Sequence, residues 1–132
     1  MKSEEDNQET IIKLQENYNK ARELEETLNI IEQQLMELEQ FKGHLKEINE
    51  SKNNEILSSL GKGVFMKSEI KDKKLFVEVG SETFVRKTPD EAVETIEEQT
   101  KKLDEIKNEL SSQINNLNRD MQGLMKKLEN RQ

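Results

Sequence analysis

The chain has 132 residues, enough for one domain, yet only 31% are hydrophobic and 37% are charged, with four Phe, one Tyr and no Trp. A compact core of ordinary size cannot be filled from that inventory. The net charge of −7 and the lack of a basic patch argue against nucleic acid and anionic membranes as partners, and the absence of cysteine excludes disulfides and thiol catalysis.

Such polarity signals disorder unless the few apolar residues recur strictly, because a thin helical seam needs few of them. The opening stretch, Met1 to Thr10, is acidic and polar with no apolar h-region, so it reads as no secretory signal. No apolar run approaches the roughly 18 residues of a membrane span. A soluble, cytoplasmic protein is expected.

The first predicted helix covers about residues 7–52. Its apolar stripe runs from Ile11, Leu14, Tyr18, Ala21 and Leu24 to Leu35, Leu38, Phe41, Leu45 and Ile48 in steps of three and four. Two consecutive steps of three, around Ala21 and around Leu38, predict stammers that locally overwind a coiled coil. The polar run Asn49 to Asn54 predicts the stop.

From about residue 55 to residue 87 the pattern changes to alternation with glycine corners. Val64, Met66, Ser68 and Ile70 share one face, continued by Leu75, Val77 and Val79. A loop at Asp72-Lys73 sets Ile70 opposite Leu75, Met66 opposite Val79 and Lys67 opposite Glu78, with Phe65 covering Gly80. Two shorter strands are predicted at Glu55 to Leu60, before Gly61-Lys62-Gly63, and at Thr83 to Arg86, after Gly80-Ser81-Glu82.

The second predicted helix covers about residues 89–131. Thr88-Pro89-Asp90-Glu91 supplies a cap hydroxyl, proline at the first helical position and glutamate three residues after the cap. Its stripe, from Val93, Ile96 and Thr100 through Ile106 to Met121, Leu124 and Leu128, averages the 3.5-residue period of a left-handed coiled coil.

Two arrangements bury both stripes: an antiparallel hairpin of the two helices, or parallel pairing of each helix with a copy of itself. Near-equal helix lengths favour the hairpin, which sets Leu24 near Leu117 and Leu45 near Ile96. The strands have no globular body to rest on, and bare edges and apolar faces are aggregation hazards. Pairing with strands of sister subunits is therefore expected; the alternative folds them down onto their own coiled coil.

The run G-x-x-x-K-x-x-I-x-D-x-x-x-x-V-x-V-G falls on Gly63, Lys67, Ile70, Asp72, Val77, Val79 and Gly80. The following V-x-K-T-x-x-E-A falls on Val85, Lys87, Thr88, Glu91 and Ala92. With helix, strands and helix in this order, the whole chain resembles prefoldin of the α class, archaeal type, as a single subunit over residues 1–132. Ser58-Ser59, Glu82 and Arg86 depart from that pattern, which often has Val-Pro, glycine and an acidic residue at these places.

The resemblance implies an α+β, mainly α fold: a long antiparallel two-helix coiled coil joined by two β-hairpins that assemble into an intersubunit β-barrel platform. It implies a heterohexamer of two α and four prefoldin β subunits. It also implies an ATP-independent holdase that captures unfolded client proteins at the coiled-coil tips and delivers them to a group II chaperonin.

On that reading the strand residues Val64, Met66, Ile70, Leu75, Val77, Val79, Phe84 and Val85 carry oligomerisation. Clients meet Ile11, Ile12, Leu14, Met121, Leu124, Met125 and Leu128 near the termini, where the apolar residues exceed a minimal seam. Ile11 and Ile12 are adjacent, as are Leu124 and Met125, so one of each pair faces away from the partner helix. The competing class is a tethering coiled-coil protein whose strands only fix the oligomer.

Little points to an enzyme or to a cofactor. His44, the single histidine, reads as a solvated surface residue, and Gly61-Lys62-Gly63 lacks the spacing of a phosphate loop. Cys/His metal sites are impossible, and the carboxylates lie on outer helix faces.

Overall fold

The computed structural model describes residues 2–130, with side chains from residue 4 onward. In chain order it contains α1 (Lys2–Glu50), β1 (Glu55–Gly61), β2 (Val64–Glu69), β3 (Leu75–Gly80), β4 (Thr83–Lys87) and α2 (Pro89–Asn130). Two long helices with two small antiparallel hairpins make a mainly helical chain. It divides into two compact units, Met1–Met36 with Lys101–Gln132, and Glu37–Thr100.

Helix α1 starts at Lys2, earlier than the position near residue 7 expected from the apolar stripe. Glu4 and Glu5 in its first turn complement the positive end of the helix dipole, which lets the polar opening stretch stay helical. It ends at Glu50, two residues short of the expected stop at 52. The expected end of the second helix at 131 lies outside the described residues.

The burial pattern replaces the predicted stripe with a stricter one. From Asn7 to Leu45 the less exposed residues of α1 alternate steps of three and four without interruption. They run through Thr10, Leu14, Asn17, Ala21 and Leu24, then Leu38, Lys42 and Leu45. The stammers expected around Ala21 and Leu38 are absent. Asn17 and Lys42 occupy the seam where Tyr18 and Phe41 were expected, and Tyr18 and Phe41 are 60% and 52% exposed.

Helix α2 shows the same correction. Lys107 is half-buried on the seam, whereas Ile106 is exposed. An unbroken seven-residue repeat keeps one face on the partner helix, and it outweighs local hydrophobicity when a polar residue is long or can find a partner. Lys42 meets both conditions, because its ammonium lies 3.3 Å from Glu97 Oε1 while its side chain is only 21% exposed.

In the unit holding Glu37–Thr100, Leu45, Ala92 and Ile96 form a buried cluster, with Leu38, Leu75 and Val93 packed against it. Leu45 and Ile96 therefore meet as the antiparallel hairpin requires. Leu75 ties β3 into the same cluster. In the other unit, Tyr18 and Ala21 line one shallow groove with Asn118 and Met121. Asn17 lines another with Leu124. That register sets Leu24 level with Leu117.

The strands pair as β1 with β2 and β3 with β4, each antiparallel. The predicted pairing of residues 64–70 with 75–79 across Asp72-Lys73 does not occur. Ile56 faces Ser68 and Ser58 faces Met66, while Val77 faces Val85 and Phe76 faces Arg86. The reason is non-local. Lys73, in the connection between hairpins, donates to the carbonyls of Asn49 (3.2 Å) and Ser51 (2.9 Å) at the end of α1. α1 has no basic residue in its own last turn, so Lys73 supplies the missing cation. The Ile70 amide is also drawn off, donating to the Asn54 carbonyl.

The corners are where glycine was expected, with one substitution of role. Gly61, Lys62 and Gly63 all have positive φ, as do Gly80, Ser81 and Glu82. The second corner thus holds two side-chain-bearing residues in the left-handed region, at φ 47° and 60°, where glycine would be unstrained. The predicted cap forms at α2: Thr88 Oγ1 accepts from the Glu91 amide at 3.2 Å and donates to the Glu91 carboxylate at 3.1 Å. The carboxylate binds the cap hydroxyl instead of the cap backbone amide.

Candidate functional site

Two surfaces carry more exposed apolar side chains than solvation favours. The first lies in the unit formed by the terminal portions of the helices. Leu14, Met121, Leu124 and Leu128 are half-buried on the seam. Ile11, Ile12 and Met125 stand off it, at 45%, 53% and 54% exposure.

The off-seam residues are not scattered. Tyr18 and Glu25, one heptad apart, share a groove with Asn118. Ile11 stands one heptad before Tyr18, and Met125 one heptad after Asn118. Ile11, Tyr18 and Met125 therefore lie on one flank of the seam, with Ile12 next to Ile11 toward the outer face. Lys13, Asp120 and Lys127 line a groove with Asn17 and Leu124 on the other flank, which is charged.

Tyr18 is the residue that sequence reasoning misplaced here. A stripe through Ile11, Leu14, Tyr18 and Ala21 puts it inside the coiled coil. Holding to a strict seven-residue period would have put Asn17 inside and Tyr18 beside Ile11.

The second surface is the hairpin pair. Of the strand residues expected to support oligomerisation, Val64, Met66, Val79, Phe84 and Val85 are exposed, whereas Ile70, Leu75 and Val77 are half-buried. Leu57, Leu60, Phe65 and Phe76 are also exposed, between 59% and 68%, and were not anticipated. Both faces of each hairpin thus carry exposed apolar side chains. Each sheet holds two strands only, so every strand also presents an unpaired edge. Exposed large apolar side chains beside open strand edges mark an interaction face.

Arg86 and Asp72 fasten the connection between the hairpins. The Arg86 guanidinium lies 4.4 Å from the centre of the Phe76 ring directly across the ladder, and its other side ion-pairs with Asp72. The Asp72 carboxyl is held below the usual carboxylate range, first by the Lys74 amide hydrogen bond and then by Arg86. Arg86, a departure from the family pattern, is thereby built into this chain's own connection.

Among the described residues no group of three or more His, Cys, Asp or Glu side chains is placed to hold a metal ion. None of the described helices is long and apolar enough to cross a membrane.

A sequence profile of the prefoldin subunit family matches residues 17–132. Prefoldin subunit alpha of Archaeoglobus fulgidus is 29% identical over an alignment covering 100% of this chain and 98% of the relative. The filamentous PFD from Methanocaldococcus jannaschii, solved by cryo-EM, superimposes with a TM-score of 0.49 at 21% identity, covering 94% of this chain and 98% of that one. With the profile spanning most of its length and two hairpins between two long helices, this chain belongs to the prefoldin family.

Proposed function

We propose that this chain is the α-type subunit of an ATP-independent holdase, working in the cytoplasm. Its strands assemble with those of β-type subunits, two α with four β, into a platform, and its coiled coil presents the client-binding end. Clients are unfolded proteins, whose exposed apolar segments are held against Ile11, Ile12, Tyr18 and Met125 and handed to a group II chaperonin.

The carrying observation is the asymmetry of the terminal unit: Ile11, Tyr18 and Met125 stand exposed on one side of the seam, whereas Lys13, Asp120 and Lys127 line the other. Leu14, Met121, Leu124 and Leu128 hold the two helices together beneath it and reach clients where the helix ends part. Met125 is unbranched and polarizable, which suits contact with many different apolar segments. The exposed hairpins support the assembly half of the reading, because bare strand edges and Phe65, Phe76 and Phe84 need cover.

The test is aggregation of a chemically denatured client, followed by light scattering, with the assembled complex. Deleting residues 1–14 and 121–132 should abolish suppression while native mass spectrometry still finds the intact complex. Undiminished suppression by the truncated complex would refute the reading. A tether would leave client aggregation unchanged with the full chain too.

A further inference from the structure

We propose that the terminal turns of α1 have two alternative seams against α2, and that rotation between them covers and uncovers the flank of Ile11 and Tyr18. This deepens the holdase reading and rests on it for the identity of the site.

The observed seam of the terminal turns is Thr10, Leu14, Asn17 and Ala21. The same turns carry a second stripe, Ile11, Leu14, Tyr18 and Ala21, with the steps of three and four in the opposite order. Leu14 and Ala21 belong to both. Exchanging one stripe for the other turns the helix by roughly 50° about its axis, half the angle between successive residues. The second stripe rejoins the regular seam at Leu24 through two consecutive steps of three, a stammer, which a coiled coil absorbs by local overwinding.

The two seams have opposite characters. The observed one buries Thr10, at 6% exposure, and half-buries Asn17, leaving Ile11 at 45% and Tyr18 at 60%. The alternative buries the two large apolar side chains and carries Thr10 and Asn17 toward the flank of Lys13, Asp120 and Lys127, which is already polar. Hydrophobic burial favours the alternative seam and regular winding favours the observed one.

The Thr10 hydroxyl donates to the Asp6 carbonyl at 2.8 Å and Arg22 pairs with Glu26, and both interactions lie within α1 and turn with it. Opposite stand Met121 and Leu124, beside Gly123. A Cβ added at Gly123 would meet nothing within 4 Å, so packing does not demand glycine there, and its effect is to loosen α2 at this level. Rotation leaves only Met125 of the three flank residues exposed, so turning this helix end covers the site and turning it back restores the open state described above.

The chain has no cysteine and a single tyrosine, so both states can be read without background. In the full chain within its assembled complex, Asn17→Cys with Leu124→Cys traps the observed seam, and Tyr18→Cys with Leu124→Cys traps the alternative. Both disulfides are expected to form under mild oxidation, since trapping needs a state populated at only about 0.1–10%. Each linked complex is compared with its own reduced form, which carries the same substitutions: the Asn17–Leu124 link should leave capture of a denatured client as it is in the reduced form, and the Tyr18–Leu124 link should lower it below the reduced form.

A 19F spectrum of wild-type chain carrying fluorotyrosine at Tyr18 should show two environments, reduced to the exposed one in Asn17→Leu. Failure of the Tyr18–Leu124 disulfide while Asn17–Leu124 forms, or one 19F environment unchanged by Asn17→Leu, overturns the two-seam proposal. If both links form and both linked complexes capture client equally, rotation does not gate the site. If neither linked complex nor the wild type captures client, the holdase reading itself has failed.

Discussion

Leu45 is the position where packing at the base of the helices is most concentrated. It is 2% exposed, lies in one cluster with Ala92 and Ile96, and is bordered by Leu38, Leu75 and Val93. It therefore joins α1, α2 and β3 at once. Leu45→Ala removes a fully buried side chain, a burial worth roughly 1.5–3 kcal/mol. Its neighbour Ala92 has no reach to fill the space, so a cavity adds to the loss and the total should be about 3–5 kcal/mol.

Urea or thermal unfolding followed by helical circular dichroism measures this, with protomer concentration fixed because assembly contributes to apparent stability. A melting temperature lower by about 10 °C is expected. Met36→Ala is the control: Met36 is 62% exposed on the same helix and should change stability by no more than about 0.5 kcal/mol. A loss below about 1 kcal/mol for Leu45→Ala, or equal losses for both, would refute the argument that this cluster fastens the hairpin to the helices.

Thr88→Ala removes the acceptor of the Glu91 amide and should cost about 1 kcal/mol in the same unfolding experiment, while Thr88→Ser restores most of it. Glu82→Gly relieves a left-handed residue at φ 60° and should raise stability by ~1 kcal/mol, and a loss would show that the Glu82 side chain has a stabilising contact. Asp72 titrates below its ordinary value in the folded chain, so its contribution to stability is fully present above that ordinary value and is lost as pH falls through the lowered one. In Arg86→Ala an NMR titration of the Asp72 carboxyl should move up toward the ordinary value without reaching it, because the Lys74 amide remains; an unchanged midpoint contradicts the pairing.

Features written in short range were legible in the sequence. Thr88-Pro89-Asp90-Glu91 marks the start of α2 because cap, proline and glutamate act within one turn. Glycines at 61, 63 and 80 mark the corners because positive φ is a local demand. The strand pairing was not legible, because Lys73 acts on α1, more than twenty residues earlier in the chain, and that contact has no trace in the local pattern.

The seam was misread for a different reason. Choosing the apolar residue over its polar neighbour places Phe41 on the seam, yet Lys42 buries its stem and pairs with Glu97. The same assumption hid the apolar flank at the terminal end. Tyr18 continues the apolar spacing of Ile11 and Leu14, and that spacing alone places it in the coiled-coil core and not on the surface beside Ile11 and Met125.

The central question is which flank of the terminal unit clients touch. A photo-cross-linking amino acid placed at Tyr18, and separately at Lys13, in the assembled complex reports this when a denatured client is added and illuminated. Client cross-links at the Tyr18 position, with Lys13 near background, are the predicted result. Equal cross-linking at both positions, or cross-linking at Lys13 alone, would contradict it.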